Sequence, residues 1–158
     1  MAELQVRQAA TGDFVAVAAA WNKLQEFHRT LGLAFTLHAD ASERWLASFQ
    51  RTLGRFSFLW VVGPPGQADA FLLARVKQSP PFLGAVQVGE ISDLYVDDSL
   101  RGSGAGTALV ETALRKFEEL GLHSVEVQIQ AGNAAGLDFW VKQGFFQDLT
   151  LVRKMLKV

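Results

Sequence analysis

Apolar residues in the first part of the chain recur at steps of three and four. Phe14, Val17, Trp21, Leu24, His28 and Leu31 fall on one face of a helix. Thr11 or Asp13 offers its N-cap, and Gly32 its stop. Before it, Leu4 and Val6 alternate with polar neighbours, as in a short strand. A second helix is predicted from Asp40, with Glu43 placed to complete a capping box. It would bury Trp45, Leu46, Phe49 and Leu53 and close at Gly54. The period then drops to two. "RFSFLWVVG" and "ADAFLLARVK" flank the turn residues "GPPGQ" as a hairpin, and "VQVGEISDLYV" reads as a further strand ending at Val96.

From Gly104 to Leu120 the pattern is helical again, with Leu109, Ala113, Phe117 and Leu120 on one face and Gly121 as stop. "HSVEVQIQ" alternates as a strand, and "NAAGLDFWVKQG" reads as a short helix capped by Asn133 and ended by Gly144. The tail "FFQDLTLVRKMLKV" reads as one more strand or a bent pair. The order is βααβββαβαβ, without repeat, low-complexity tract or linker. It predicts an α/β fold around a mixed central sheet flanked by helices, one domain over residues 1–158.

Composition changes this picture little. A hydrophobic fraction of 49% and a charged fraction of 20% are ordinary for a soluble globular chain of 158 residues, long enough to bury a sizeable core. The net charge of −1 provides no basic field for nucleic acid or an anionic membrane, so neither is an expected partner. The absence of cysteine excludes disulfides, thiolate metal sites and a cysteine nucleophile, and suits a reducing compartment. "MAELQVRQAATGD" lacks the apolar core of a signal peptide, and no stretch approaches the roughly 20 apolar residues of a membrane span; the expected location is cytoplasmic. His28, His38 and His123 are too scattered for a metal site, and no metal is expected.

The candidate chemistry lies in "DDSLRGSGAGTAL", Asp97 to Leu109, where a strand passes through a glycine-rich corner into a helix. A helix N-terminus presents unpaired N–H groups and a positive dipole end, and glycines let an anion approach the backbone. Arg101 adds a forked cation suited to phosphate. A P-loop would need Gly-Lys-Ser/Thr, which is absent. A dinucleotide fingerprint fails because position 107 is Thr where the third glycine belongs. Glu126, placed as a ribose-binding acid would be, alternates with Val125 and Val127 and reads better as a solvated strand face.

Arg101-Gly102-Ser103-Gly104-Ala105-Gly106 resembles the Arg/Gln-x-x-Gly-x-Gly/Ala signature of the GNAT superfamily of N-acetyltransferases. "ISDLYV", "TALVETALRKFEELG" and "NAAGLDFWVKQGF" resemble the neighbouring family elements, and the element order matches over nearly the whole chain. The resemblance implies acetyl-CoA as co-substrate. Its pyrophosphate would rest on Gly102, Ser103, Gly104, Ala105, Gly106 and Thr107, with Arg101 helping. Its pantetheine arm would pair with the backbone of Leu94, Tyr95 and Val96, and an N–H near Leu94 would polarise the thioester carbonyl. Asn133 matches the family asparagine that contacts pantetheine or CoA, and also suits an N-cap. Trp140 occupies the position, within the same cofactor-contacting set, where the family usually carries its tyrosine general acid.

The implied reaction is attack of a primary amine on the thioester, which requires a base for the ammonium proton. Glu90 stands where several family members carry a catalytic glutamate, and Asp93 is the second carboxylate of that strand, suited to orienting a cationic amine. Strict alternation puts these two on opposite faces, so both reach one cleft only across a kink or bulge. His28 is the candidate acceptor-pocket residue; Trp21, Trp45 and Trp60 read as core. With the tyrosine missing, water or Tyr95, the chain's single tyrosine, would protonate the thiolate, or the domain would bind acyl-CoA without efficient turnover. Dimers are frequent in the family, and the carboxy-terminal strand is the candidate interface for a homodimer.

Overall fold

The computed structural model describes residues 4–157. In order along the chain come β1 (Val6–Gln8), α1 (Phe14–Thr30), α2 (Ala41–Gln50), β2 (Ser57–Val62), β3 (Ala70–Gln78), β4 (Gln87–Val96), α3 (Ala105–Glu119), β5 (Val125–Val127) and α4 (Ala134–Lys142). The strands form one mixed sheet in the order β1-β2-β3-β4-β5. The first four pair antiparallel, and β5 joins β4 in parallel after the α3 crossover.

Helices cover both faces, which is why β2 and β3 read as near-continuous apolar runs. On one face Phe58, Trp60, Leu72, Ala74 and Ile91 pack against Leu109, Ala113 and Phe117 of α3 and Trp140 of α4. On the other, Leu59, Val61, Phe71 and Leu73 pack against Val17, Trp21 and Leu24 of α1 and Phe49 of α2. Gly89 lets α3 lie close on β4: a Cβ there would sit 2.7 Å from the Phe117 ring.

Two expected caps are used differently. Asp13 precedes α1, yet its buried carboxylate accepts a paired hydrogen bond from Arg7, 2.8 Å at each oxygen, and further bonds from the N–H groups of Ala10 and Gly66. It clamps the chain entry to the β2–β3 turn, and Arg7 holds its pKa far below the usual carboxylate range. Asp40 forms no capping box. Its backbone is not extended as an N-cap requires, and its carboxylate takes Arg44 Nε at 2.9 Å instead.

Two expected strands also change. The strand expected over "HSVEVQIQ" is ordered as sheet only at Val125–Val127, and Gln128 to Gln130 leave it. The tail forms no strand among the described residues, so the observed order stops at βααβββαβα. A strand needs a ladder to join, and three paired residues of β5 leave too short an edge to register one. Phe146, Leu149, Val152 and Leu156 therefore remain exposed.

Candidate functional site

The site begins where β4 and β5 part. Gly89 N–H still bonds Ser124 O at 2.8 Å, and the parallel pairing ends at Ile91 opposite Val127. Beyond that point β4 continues beside β3 alone, with its other edge open.

A bulge sits at the parting. Ile91 pairs with Ala74 and Asp93 with Leu73, so Ser92 is an extra residue, its hydroxyl 3.3 Å from Leu73 O. The extra residue resets the alternation. Glu90 lies opposite Arg75, whose guanidinium reaches Ser48 and the Phe49 ring on α2; Asp93 lies opposite Leu73 of the same face. Both carboxylates therefore face α1 and α2, as the sequence allowed only with a bulge. The bulge also aims the backbone. Asp97 N–H bonds Asp69 O at 2.8 Å on the β3 side, so by alternation the N–H groups of Leu94 and Val96 point to the open edge.

The parting opens a cleft of about 290 Å³ through the sheet. Leu24, Phe27 and His28 of α1 line one side, Asp93 to Val96 the strand wall, and Asn133, Phe139 and Trp140 the α4 side, with Arg101 also on the lining. The structure thus brings together Asp93, Leu94, Tyr95, Val96, Arg101, Asn133, Trp140 and His28. Glu90 lies outside this lining, ion-paired at 3.1 Å with Lys77, which also holds Glu126. Gly102 to Thr107 form the corner next to Arg101 rather than the cleft wall.

Gly102 and Gly104 have φ of +76° and +89°, and Gly104 is the N-cap of α3. The N–H groups of Gly102, Gly104, Gly106 and Thr107 find no acceptor among the described residues, whereas Ser103 N–H is taken by Leu100 O. Arg101 is exposed and ion-paired with Asp98 at 3.0 Å. Asn133 Oδ1 accepts Gly136 N–H at 2.9 Å, capping α4 beside the cleft.

Asp93 is half-buried and accepts Trp45 Nε1–H at 3.2 Å. Trp45 stacks on Trp21, ring centroids 5.1 Å apart, and the Trp21 indole N–H is buried without a partner among the described residues. Burial raises the Asp93 pKa, while the Trp45 N–H bond, the Arg75 charge and the Ser92 hydroxyl pull it back. Tyr95 donates to Asp97 at 3.0 Å, and burial followed by that bond pushes its pKa up to about 12. His28 is half-buried, and burial lowers its pKa, which disfavours the imidazolium. Trp140 is buried edge-on between Phe139 and Phe145.

Ser92 escaped the sequence reading, in which Trp45 is core alone, without its bond to Asp93. The polar pair Ser92-Asp93 breaks the two-residue period and was the available sign of the bulge. Nothing in the sequence joins Trp45 to Asp93, 48 residues apart.

A family model described as "Acetyltransferase (GNAT) family" matches residues 21–145. A mycothiol acetyltransferase of Amycolatopsis mediterranei is 32% identical over 89 residues, 56% of this chain and 30% of that protein. An L-methionine sulfoximine/L-methionine sulfone acetyltransferase of Pseudomonas paraeruginosa is 27% identical over 123 residues, 63% of this chain and 72% of that protein. The chain thus spans less than a third of the mycothiol acetyltransferases it matches. A solved structure of a Bacillus halodurans protein has a TM-score of 0.80 at 22% identity, covering 96% of this chain and 99% of that one; it shows a shared fold.

Proposed function

This chain belongs to the GNAT acetyltransferase family, and from that premise we propose that it moves an acetyl group from acetyl-CoA to a primary amine by direct displacement. The observation that carries the reading is the open edge of β4 beside an N–H-rich glycine corner. The residues fit acetyl-CoA: the unpartnered N–H groups of Gly102, Gly104, Gly106 and Thr107 suit a pyrophosphate at the N-terminus of α3, and Arg101 adds charge. The outward N–H groups of Leu94 and Val96 suit an extended, amide-bearing arm laid along the strand. Acetyl-CoA supplies the thioester: the amine nitrogen bonds to the carbonyl carbon as the C–S bond breaks.

Asp93 holds the incoming ammonium and accepts its proton, directly or through water. A carboxyl with a raised pKa is better matched to that proton than an ordinary one. Leu94 N–H stabilises the developing negative charge on the carbonyl oxygen. The thiolate takes its proton from solvent. Tyr95, pushed up to about 12 and already donating to Asp97, is a poor acid for a thiolate whose own pKa is near 8.5. Glu90, tied to Lys77 outside the cleft, serves the sheet surface in this reading.

The first test is thermal unfolding with acetyl-CoA, CoA, NAD and ATP. A ligand at about 100 times its dissociation constant stabilises by roughly 2.7 kcal/mol. At about 2–4 °C per kcal/mol for this size, the midpoint should rise by about 5–11 °C with CoA and acetyl-CoA alone. No rise with either, in folded protein, refutes the site. The indole at Trp140, packed among aromatics where a proton donor is usual, favours one second reading: an acyl-CoA-binding module without efficient turnover. Thiol release above background across an amine panel rejects that module.

A further inference from the structure

The charges lining the cleft bear on the acceptor. Among the described residues, Asp93 is the only carboxylate on the lining, and Arg101 the only lysine or arginine. Arg101 lies beyond the end of β4 and pairs with Asp98. Lys23 is turned from the cleft toward Asp97, at 3.7 Å. Arg75 stays on the α2 side, held by Ser48 and the Phe49 ring. Glu26 and Arg29 of α1 pair with each other at 2.6 Å off the lining, and burial lowers the pKa of His28, which disfavours its cation. The α1 end of the cleft is therefore one carboxylate set among Leu24, Phe27 and Tyr95, backed by the stacked Trp21 and Trp45.

On the reading that this chain is an acetyl-CoA-dependent N-acetyltransferase, we infer that its acceptor is an apolar or aromatic monoamine without a carboxylate beside the amine. One ammonium neutralises Asp93, and the ring or chain attached to it meets apolar walls. An α-amino acid would bring a second carboxylate to within a few bonds of Asp93, with no lysine or arginine among the described lining residues of that end to receive it. A polyamine would bring further ammonium groups with no second carboxylate among the described lining residues to meet them. Aromatic walls also suit the ammonium itself.

The test compares phenethylamine, phenylalanine and spermidine by thiol release from acetyl-CoA. Phenethylamine and phenylalanine share one body and differ by the carboxylate. Phenethylamine should exceed phenylalanine in kcat/KM by roughly a hundredfold or more, and exceed spermidine as well. Equal or greater use of phenylalanine or spermidine overturns the inference. Phe27→Arg, at a rim position 42% exposed, adds the missing cation and should narrow the phenethylamine preference by roughly tenfold. An unchanged ratio in a folded variant counts against the inference. Calorimetry of phenethylamine with and without CoA separates the two layers. If CoA does not bind, the family-type reading fails, and amine binding is judged on its own. If CoA binds and phenethylamine neither binds nor reacts, the acceptor class is wrong.

Discussion

Replacing Asp93 by Asn should make the protein more stable and less active. Asn keeps the shape and the oxygen that accepts Trp45 Nε1–H, and removes only the charge. Burial raises the pKa of this carboxyl, so the folded chain disfavours its ionised form. A carboxyl raised above its unfolded value favours folding at low pH, and that contribution is lost as pH rises through the folded pKa. Asn does not titrate. The two proteins should therefore differ least near pH 4, about the ordinary carboxylate value, and Asn should lead near pH 8. For a half-buried, partly screened carboxylate with donors nearby the gain is about 1 kcal/mol, or about 2–4 °C in the midpoint. Activity moves the other way. A charge-assisted hydrogen bond to the ammonium is worth about 1.5–3 kcal/mol, so kcat/KM for a cationic amine should fall about tenfold to hundredfold. The midpoint shift with acetyl-CoA should stay the same, because Asp93 does not contact the glycine corner. Melting curves from about pH 4 to pH 9 and a thiol-release assay read both effects. A lower midpoint than wild type near pH 8 would refute the burial argument. Unchanged kcat/KM would remove Asp93 from the site.

Two further substitutions test the frame that holds the site. Asp13→Asn breaks a clamp of which the carboxylate side is only 2% exposed, and should cost about 3–5 kcal/mol in urea unfolding. A carboxyl held below its unfolded pKa loses its contribution as pH falls, so the gap between wild type and variant should shrink below about pH 4; a constant gap contradicts the ion-pair account. Gly89→Ala places a methyl 2.7 Å from the Phe117 ring and should cost about 1–3 kcal/mol, partly relieved by adding Phe117→Leu. Simple additivity of the two would locate the close approach elsewhere.

Local chemistry carried much of this protein legibly in the sequence. Steps of three and four in α1 and α3, period two in β4 and turn residues between β2 and β3 each follow from short-range geometry, and the structure has these elements where the pattern puts them. Asn133 as the cap of α4 and Gly104 at the start of α3 were equally readable, because capping and positive φ are properties of one residue and its neighbours. The resemblance of the glycine corner to the GNAT signature lay in the same short stretch. Other features depended on partners distant in sequence. Ser92 is extra only because β3 and β4 pair in one register, and that register turns Asp93 toward Trp45 and the Leu94 N–H to the open edge. The alternation of "HSVEVQIQ" promised a longer strand, but pairing with β4 stops at Val127, and the cleft exists because it stops. The tail has strand-like residues and no ladder to join. Propensity and period are local, so one sequence carries them. Register, bulge and the parting of two strands are relations between segments, and tertiary packing alone decided them.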